Sequence, residues 1–547
     1  MKSALILVSL MACFDLFGQD IAAKADLILT EAIPSLVSPG ITIGIVKGGD
    51  QDLIRSRGLA NLEYQIPFND STVFELASVT KQFTSACLGI LEHKGLLAIN
   101  DDVRKYIPEL KFYGDTIRIK HLLNHTSGIR NHNVLLDLMG FDFQHSGYTN
   151  QMIHQLMFRQ NGINNRPGDK MLYSNTNYVI LALIIERVSG MKIHHFAEKE
   201  LFHPLGMNNT FYKNDLSSIV RNRAAPYYRS NNEYKEPKSL TLCVGAGGVY
   251  SSVKDMLKWM RLFSDDDHEL SYIPSFLTVL DTLNDGREMT SARGVFVSKY
   301  KNLATINHSG RDWGLRTQII WLPALELGMF VFTNSDHVNA VEVSYQLVDF
   351  FLNDSGDQSE QKVGFKHSEK EIASIQGVYQ ELNSDMKMQV YLRNDSLFAK
   401  SSMGGVPVYL VSQSKDKFHR NDNASVTYDF NYGIEEGIDL SVDFGGAEFY
   451  FEEIMLVEEP NENLEDYVGR YYADELEVIY ELKLESGMLV LNYPNNCCYT
   501  LTEGQQDVFG ANRRTKYVFK RDHKKNVVSF TVASEGTVKD ILFERLN

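Results

Sequence analysis

Ser78-Val79-Thr80-Lys81 places a serine and a lysine three residues apart at the predicted start of a helix. Residues at this spacing share one helix face, so the two side chains are neighbours. Apolar residues then recur at helical spacing as far as Gly95. A serine in a first helical turn gains from free backbone N–H groups and from the positive end of the helix dipole. The stretch therefore predicts a nucleophile with a cation beside it.

Two later motifs have contexts that also favour a cleft. Tyr173-Ser174-Asn175 follows a Pro-Gly loop and precedes a predicted apolar helix over 178–188, for which Asn175 is the expected cap. His308-Ser309-Gly310 ends a predicted strand, where glycine allows a ligand to approach the backbone. Each of these three-residue patterns also occurs elsewhere in the chain by chance, so neither motif alone indicates a function.

Taken together and in this order, the three motifs resemble the signatures of the serine β-lactamase and penicillin-binding-protein superfamily. The similar branch contains class C β-lactamases, D-alanyl-D-alanine carboxypeptidases, D-aminopeptidases and related esterases. The resemblance covers roughly residues 21–352. Four flanking stretches agree with it: Phe74-Glu75-Leu76-Ala77, Asn124-His125-Thr126-Ser127-Gly128, Pro204-Leu205-Gly206-Met207 and Gly245-Ala246-Gly247-Gly248.

The resemblance implies a role for each motif residue. Ser78 is the expected nucleophile, and Lys81 and Tyr173 are the candidates for the base that takes its proton. Which of the two is the base stays open. Asn175 is expected to hold a substrate amide. No cofactor and no metal are implied.

The third motif is expected to line the acyl pocket. The N–H groups of Ser78 and Arg311 would form the oxyanion hole, and Gly310 must stay small. Two departures from the family pattern weaken the expectation of β-lactam hydrolysis: His308 stands where many β-lactamases have lysine, and Arg311 to Trp313 bring bulk to the cleft. We expect His308 to bind a substrate carboxylate and to titrate in the ordinary histidine range.

The predicted fold class is α+β, with an antiparallel sheet and helices forming a β-lactamase/transpeptidase-like domain. An amphipathic helix is expected at 21–36, and helical patterns dominate residues 80–265. Four short apolar stretches predict strands of the sheet. They are 41–46, 304–308, 317–321 and 328–333, and a helix is expected after the last of them.

The chain divides into five predicted segments. Residues 353–371 are polar and read as a linker, which predicts that residues 1–355 fold on their own. Short alternating strands follow, and Gly377-Val378-Tyr379 recurs as Gly469-Arg470-Tyr471 at an offset of 92. We therefore expect two small antiparallel β-barrel modules, similar to the tail of D-aminopeptidases, with one long sandwich as the alternative. The segments are 1–19 (signal peptide), 20–352 (serine hydrolase domain), 353–371 (linker), 372–460 and 461–547 (β-barrel modules).

The N-terminus predicts export. Lys2 and an apolar stretch over 4–11 have the form of a secretory signal, with cleavage near Gln19. Cys13 allows a lipoprotein as the less favoured alternative. We expect a periplasmic or secreted protein without a membrane segment after cleavage. The net charge of −16 argues against nucleic acid as a partner, whereas the oligomeric state stays open.

The sequence also contains patterns that are typical of functions other than that of a serine hydrolase. His121 and His125 have zinc-ligand spacing, yet the adjacent glutamate of a zinc peptidase is missing. The glycines of 245–248 lack the Lys-Ser or Lys-Thr of a phosphate loop. We predict an exported serine hydrolase that acts through an acyl-enzyme on small peptides, including D-amino-acid peptides, or on esters. A β-lactamase and a non-hydrolytic acylatable sensor are the alternatives.

Overall fold

The computed structural model describes most of the chain beyond its N-terminus. The described residues are 21–48, 51–301, 303–353, 367–382, 384–393, 396–402, 407–421, 426–430, 439–444, 448–454, 463–495, 497–511 and 514–546. The predicted signal segment 1–19 and most of the predicted linker lie outside them. The five predicted segment boundaries accordingly stay predictions.

A six-stranded antiparallel sheet forms the centre of the first domain. In spatial order its strands are Phe296–Tyr300, Leu303–Asp312, Leu315–Leu322, Leu327–Thr333, Ile41–Lys47 and Gln51–Arg57. All four strands expected from the sequence are present and extend beyond their predicted limits. The first and last parts of this domain are thus joined in one sheet, because Ile41–Lys47 pairs with Leu327–Thr333.

Helices cover both faces of this sheet, and the alternation of side chains along the strands decides which helix meets which face. Ile43 and Ile45 point to a core formed with the helix over 21–32 and the helix Ala340–Asn353. On the opposite face, Gly44 lies so close to the helix Val253–Arg261 that an added Cβ would fall 2.7 Å from the Val253 side chain. The sheet is therefore buried on both sides.

The remaining helices gather beside and on the second face, around the apolar helix that follows Ser78. They are Thr80–His93, Ile119–Leu123, His132–Leu138, Asn150–Arg159, Asn175–Ser189, Ile193–Ala197, Tyr272–Leu277 and the π-helical Glu198–Phe202. Short 3₁₀ turns occur at Ala77–Val79, Val103–Lys105, Pro323–Leu325 and Leu464–Tyr467. Short strands complete the domain: Leu59–Asn61, Ile66–Pro67, Val73–Glu75, Phe211–Tyr212, Tyr228–Ser230, Glu233–Lys235 and Val249–Ser252.

The first C-terminal module is a closed antiparallel barrel preceded by the helix Glu369–Ala373, which Ser368 caps. Its strands follow chain order, and the last pairs with the first. They are Gly377–Glu381, Lys387–Arg393, Ser396–Ser401, Val408–Ser412, Lys417–Arg420, Val426–Asp429, Leu440–Phe444 and Glu448–Glu453.

The second module is a nine-stranded antiparallel sheet that is nearly closed, because its two edge strands are separated in the chain by Leu501 alone. In spatial order the strands are Cys497–Thr500, Met488–Tyr493, Val478–Glu485, Gly469–Ala473, Val538–Arg545, Val527–Ser534, Thr515–Arg521, Val508–Ala511 and Thr502–Gln505. The α+β domain and the two barrel-like modules confirm the predicted fold class.

The internal repeat is visible in one hydrogen bond that both modules make. The Tyr379 hydroxyl donates to the carbonyl of Ile375 at 3.0 Å. At an offset of 92, the Tyr471 hydroxyl donates to the carbonyl of Tyr467 at 2.9 Å. Each tyrosine is buried and fastens the first strand of its module to the turn before it.

The second module shares a core with the first domain, which the polar linker did not suggest. Tyr480 is buried, and its hydroxyl donates to the carbonyl of Leu138 at 2.5 Å. The first module makes polar contacts at the edge, where Arg287 donates to the Tyr450 hydroxyl. The expectation that residues 1–355 form a self-contained unit thus conflicts with the packing. No helix among the described residues has both the length and the apolarity to cross a membrane.

Candidate active site

Ser78 lies in a tight turn between a strand and a helix. Val73–Glu75 ends just before the 3₁₀ turn Ala77–Val79, which runs directly into Thr80–His93. Ala77 has a φ of 48°, a left-handed conformation that costs energy for a residue with a Cβ. The turn presents Ser78 to the cleft, while the buried helix behind it holds the turn in place.

Lys81 lies one turn further along and is fully buried. Its Nζ lies 3.0 Å from Ser78 Oγ, 2.8 Å from Asn175 Oδ1 and 2.9 Å from the carbonyl oxygen of Ala246. Burial lowers the pKa of Lys81 well below its ordinary value, because an ammonium group loses its hydration there. The shift favours the neutral amine, which is the form that can take a proton from the serine hydroxyl.

Tyr173 completes a triangle with these two residues, as the sequence predicts. Its ring centroid lies 4.9 Å from Lys81 Nζ, and a hydrogen bond with Ser78 acts to lower its pKa. Burial outweighs that bond and raises the pKa of Tyr173 above its ordinary value. The hydroxyl thus stays protonated while in contact with the nucleophile.

The His125 ring packs against the Tyr173 ring, a contact that the sequence analysis did not predict. The two rings lie 4.2 Å apart, and His125 Nδ1 accepts the backbone N–H of Ser174 at 3.2 Å. His121 makes a different contact, since its Nδ1 accepts the backbone N–H of Arg118. Within the described part of the chain no cluster of three or more His, Cys, Asp and Glu side chains could hold a metal ion.

Asn175 is the first residue of its helix rather than the cap, which is Ser174 with extended backbone angles. The expectation of an Asn175 cap is therefore wrong by one residue. Inside the helix, Asn175 directs its side chain to the cleft, where Oδ1 accepts from Lys81 and Nδ2 donates to Asn133 Oδ1 at 2.9 Å. One amide N–H remains for a substrate.

The glycine loop 245–248 supplies the third contact of Lys81. Gly245 and Gly248 have positive φ angles, and a Cβ on Gly245 would lie 2.3 Å from the carbonyl oxygen of Tyr178. This close approach brings the Ala246 carbonyl to Lys81. The sequence analysis noted the loop as a family flank but did not assign it a contact in the site.

His308 faces the other motifs but carries no charge near neutral pH. It is buried, its Nδ1 donates to the carbonyl of Ser309 at 2.7 Å, and its ring lies 6.3 Å from that of Tyr173. Burial, with a smaller contribution from Lys81, lowers its pKa to about 3. The expectation that His308 titrates in the ordinary range is wrong, and a neutral imidazole does not attract a substrate carboxylate by charge.

Gly310 fits against the backbone that precedes the nucleophile. A Cβ there would lie 2.1 Å from Thr317 Oγ1 and 2.5 Å from the Leu76 carbonyl oxygen. Thr317 Oγ1 itself donates to that carbonyl at 2.9 Å, which ties the sheet to the Ser78 turn. The predicted requirement for a small residue thus has a direct steric cause.

A cavity of about 770 Å³ opens in front of Ser78. Asn175, Arg311 and Trp313 line it, whereas Lys81, Tyr173 and His308 are not among its lining residues. Trp313 is 49% exposed and meets Tyr228 edge to face. The predicted bulk at the pocket is therefore present, and Trp313 is free of core packing.

Two carboxyl groups also line this cavity, and only that of Glu75 was not expected there from the sequence. Glu75 precedes the nucleophile turn, and Asp312 follows Gly310 and Arg311. Burial and the negative charge of Asp312 raise the pKa of Glu75 to about 8. Burial also raises the pKa of Asp312. The pocket next to Ser78 therefore has an acidic side, and the basic residues Lys213, Arg223 and Arg311 line the pocket as well.

The family model for β-lactamases matches residues 29–349, which is more than half of the chain and contains all three motifs. The chain belongs to the β-lactamase family. Members of this superfamily are generally serine hydrolases, and the match supports that class of activity for this family member.

Two relatives show how far the similarity extends. Penicillin-binding protein 4* of Bacillus subtilis (strain 168) is 39% identical over an alignment of 301 residues, and the match covers 51% of this chain and 64% of that protein. The chain thus spans less than two thirds of that relative. Protein flp of Staphylococcus aureus (strain NCTC 8325 / PS 47) is 27% identical over 342 residues, covering 58% of this chain and 67% of flp.

Solved structures share the fold at lower identity. An octameric penicillin-binding protein homologue from Pyrococcus abyssi covers 87% of this chain and 99% of its own, with 20% identity and a TM-score of 0.55. A D-amino acid amidase from Ochrobactrum anthropi SV3, in complex with L-phenylalanine amide, covers 61% of this chain and 99% of its own, with 19% identity and a TM-score of 0.53. Both similarities concern the fold.

Proposed function

We propose that this β-lactamase family member is an exported serine hydrolase that forms an acyl-enzyme on Ser78. Its substrates are small peptides, including D-amino-acid peptides, or small esters. The observation that carries the proposal is the 3.0 Å contact between Lys81 Nζ and Ser78 Oγ inside a buried cluster. An unactivated serine is a poor nucleophile, and this contact supplies the partner that takes its proton.

The directions of the two pKa shifts favour Lys81 as the first base. Its lowered pKa makes a neutral amine available, which accepts the Ser78 proton as the oxygen attacks the substrate carbonyl. Tyr173 keeps its proton in the free protein and passes it to the leaving group, and the lysine then replaces it. Backbone N–H groups of Ser78 and Arg311 stabilise the oxyanion. Water then attacks the acyl group and releases the acid.

The acidic side of the cavity favours an acyl group that carries an amino group. Glu75 and Asp312 lie beside the nucleophile turn and hold a proton on Glu75 near neutral pH, so a substrate ammonium group would pair with the carboxylate of Asp312. The fold shared with a D-amino acid amidase is compatible with this class of substrate.

β-Lactams would acylate Ser78, and the resulting acyl-enzyme would hydrolyse slowly, because rapid turnover needs a water held for deacylation.

Covalent labelling tests the proposal. The wild-type protein should react with a fluorophosphonate probe, mass spectrometry should place the adduct on Ser78, and Ser78→Ala should fold without reacting. A panel of D-amino-acid amides, D-alanyl dipeptides, short esters and a chromogenic β-lactam then ranks substrates. An adduct on another serine would contradict the assignment. A stable acyl adduct of a panel member on Ser78, without turnover of any panel member, would instead identify an acylatable sensor.

A further inference from the structure

A buried ion pair joins the second β module to the first domain. The side chain of Arg130 is 2% exposed, and its NH1 donates to Glu475 Oε2 at 2.5 Å. The same NH1 donates to Gln160 Oε1 at 3.0 Å, and NH2 donates to the carbonyl of Asp540 at 3.3 Å. Arg130 thus contacts its own domain and two separate parts of the second module.

The carboxylate of Glu475 is buried and has a second hydrogen-bond partner besides Arg130. It lies in the turn after Gly469–Ala473, and its side chain is 10% exposed. Its Oε2 also accepts the backbone N–H of Asn161 at 2.8 Å. A buried ion pair that loses one partner leaves an uncompensated charge in a dry environment, which is costly. Arg130 therefore depends on Glu475 to keep its position.

Arg130 belongs to the loop 124–131, which holds the catalytic motif of Tyr173 and Asn175. The carbonyl of Arg130 accepts the Thr176 hydroxyl at 2.8 Å. At the other end of the loop, His125 packs under the Tyr173 ring. Asn175, next to Thr176, accepts the hydrogen bond from Lys81. Two hydrogen bonds, from Thr176 to the Arg130 carbonyl and from Lys81 to Asn175, thus connect the residue of the ion pair to the amine that faces Ser78.

We infer that Glu475 is a positioning residue for the reaction on Ser78, acting through Arg130 and the loop 124–131. The inference rests on the proposed function and assigns part of the active-site support to the second β module. Glu475 itself does not line the cavity in front of Ser78. Its effect is to fix where Asn175 and Tyr173 stand relative to Lys81.

A pH profile distinguishes positioning from simple stability. The titratable groups that face Lys81 are Tyr173, Tyr178, His125, His132 and His308. Burial lowers the pKa of Lys81, so a loosened loop that admits water should raise that pKa again. The fraction of neutral amine then falls at a given pH, and the rising limb of the acylation profile moves to higher pH.

The experiment compares full-length Glu475→Gln with the wild-type protein, using the labelling rate with a fluorophosphonate probe between pH 5 and 10. Gln keeps the size of the side chain and removes its charge. We expect acylation to slow by about tenfold or more while the protein stays folded, since small displacements of catalytic groups are costly. The rising limb should shift to higher pH. Glu475→Asp keeps the charge but is one methylene shorter and cannot hold both Arg130 and Asn161 as Glu475 does, so its rate should lie between those of the Gln variant and the wild type.

Tyr480→Phe is the matched control at the same interface. It removes the hydroxyl that donates to the Leu138 carbonyl and leaves the ion pair intact, so its rate and profile should equal those of the wild type. Equal rates and profiles for Glu475→Gln and the wild type would overturn the inference. If the Gln variant does not fold, an unchanged rate in Glu475→Asp overturns it. Failure of the wild type itself to label would refute the proposed function instead.

Discussion

Replacing Gly310 by alanine tests how closely the sheet must approach the nucleophile turn. The new Cβ would lie 2.5 Å from the Leu76 carbonyl oxygen, whereas an ordinary contact is 3.4 Å or more. The Leu76 carbonyl must therefore move by roughly 1 Å, and a displacement of this size costs about 100-fold when it reaches a catalytic group. Thr317 can rotate away from the Cβ, but it then loses its hydrogen bond to Leu76. Overpacking of this kind destabilises by about 1–3 kcal/mol.

Two measurements check these magnitudes: the fluorophosphonate labelling rate of Ser78 and the midpoint of urea unfolding. Gly504→Ala is the matched control, because a Cβ at Gly504 would meet only the end of the Lys387 side chain, at 3.6 Å. We expect slow labelling and a lower midpoint for Gly310→Ala and neither for the control. If Gly310→Ala labels at the wild-type rate, the turn tolerates the displacement and the steric argument fails.

Four further predictions follow from particular groups. Because the folded protein raises the pKa of Glu75 to about 8 from an ordinary 4.5, its free energy of unfolding should fall as pH rises between these values, and Glu75→Gln should flatten that slope in urea titrations. His308→Gln should not change the shape of the acylation profile between pH 5 and 8, because the histidine is already neutral over that range. Trp313→Ala should shift ester preference toward bulkier acyl groups with stability changed by less than about 0.5 kcal/mol, whereas Tyr64→Ala, at an exposed site outside the cavity, should shift neither. Residues 21–355 alone should be insoluble, because they lack the module that covers the apolar surface under Tyr480; a soluble, cooperatively unfolding fragment would contradict this.

The parts of the site that follow from local spacing could be predicted from the sequence. Ser78 and Lys81 are one helical turn apart, so a helix start was enough to bring them together. Tyr173 lies far along the chain, and its placement came from the family resemblance rather than from spacing. The cap was predicted one residue too late, at Asn175, because Ser and Asn both suit that position, and the backbone angles of Ser174 decide between them.

Burial could not be predicted in the same way, because it depends on segments remote in the chain. The pKa of His308 depends on the layers packed around it, and a strand pattern does not reveal how deeply one residue lies. The raised pKa of Glu75 depends on Asp312, 237 positions later, which approaches only after the sheet forms beside the nucleophile turn. Neither residue type has a local signal for such an environment.

The order of the modules in space differs from their order in the chain, and the polar linker gives no sign of this difference. The first module follows the hydrolase domain directly, yet the second module supplies the buried partner of Arg130 and the core contact of Tyr480. A polar linker reports only that the chain is exposed where it leaves a domain, not what returns to that domain later. A residue 345 positions from Arg130 can therefore be part of the support of the active site. The tail of the chain is consequently better regarded as one peripheral barrel and one structural part of the hydrolase.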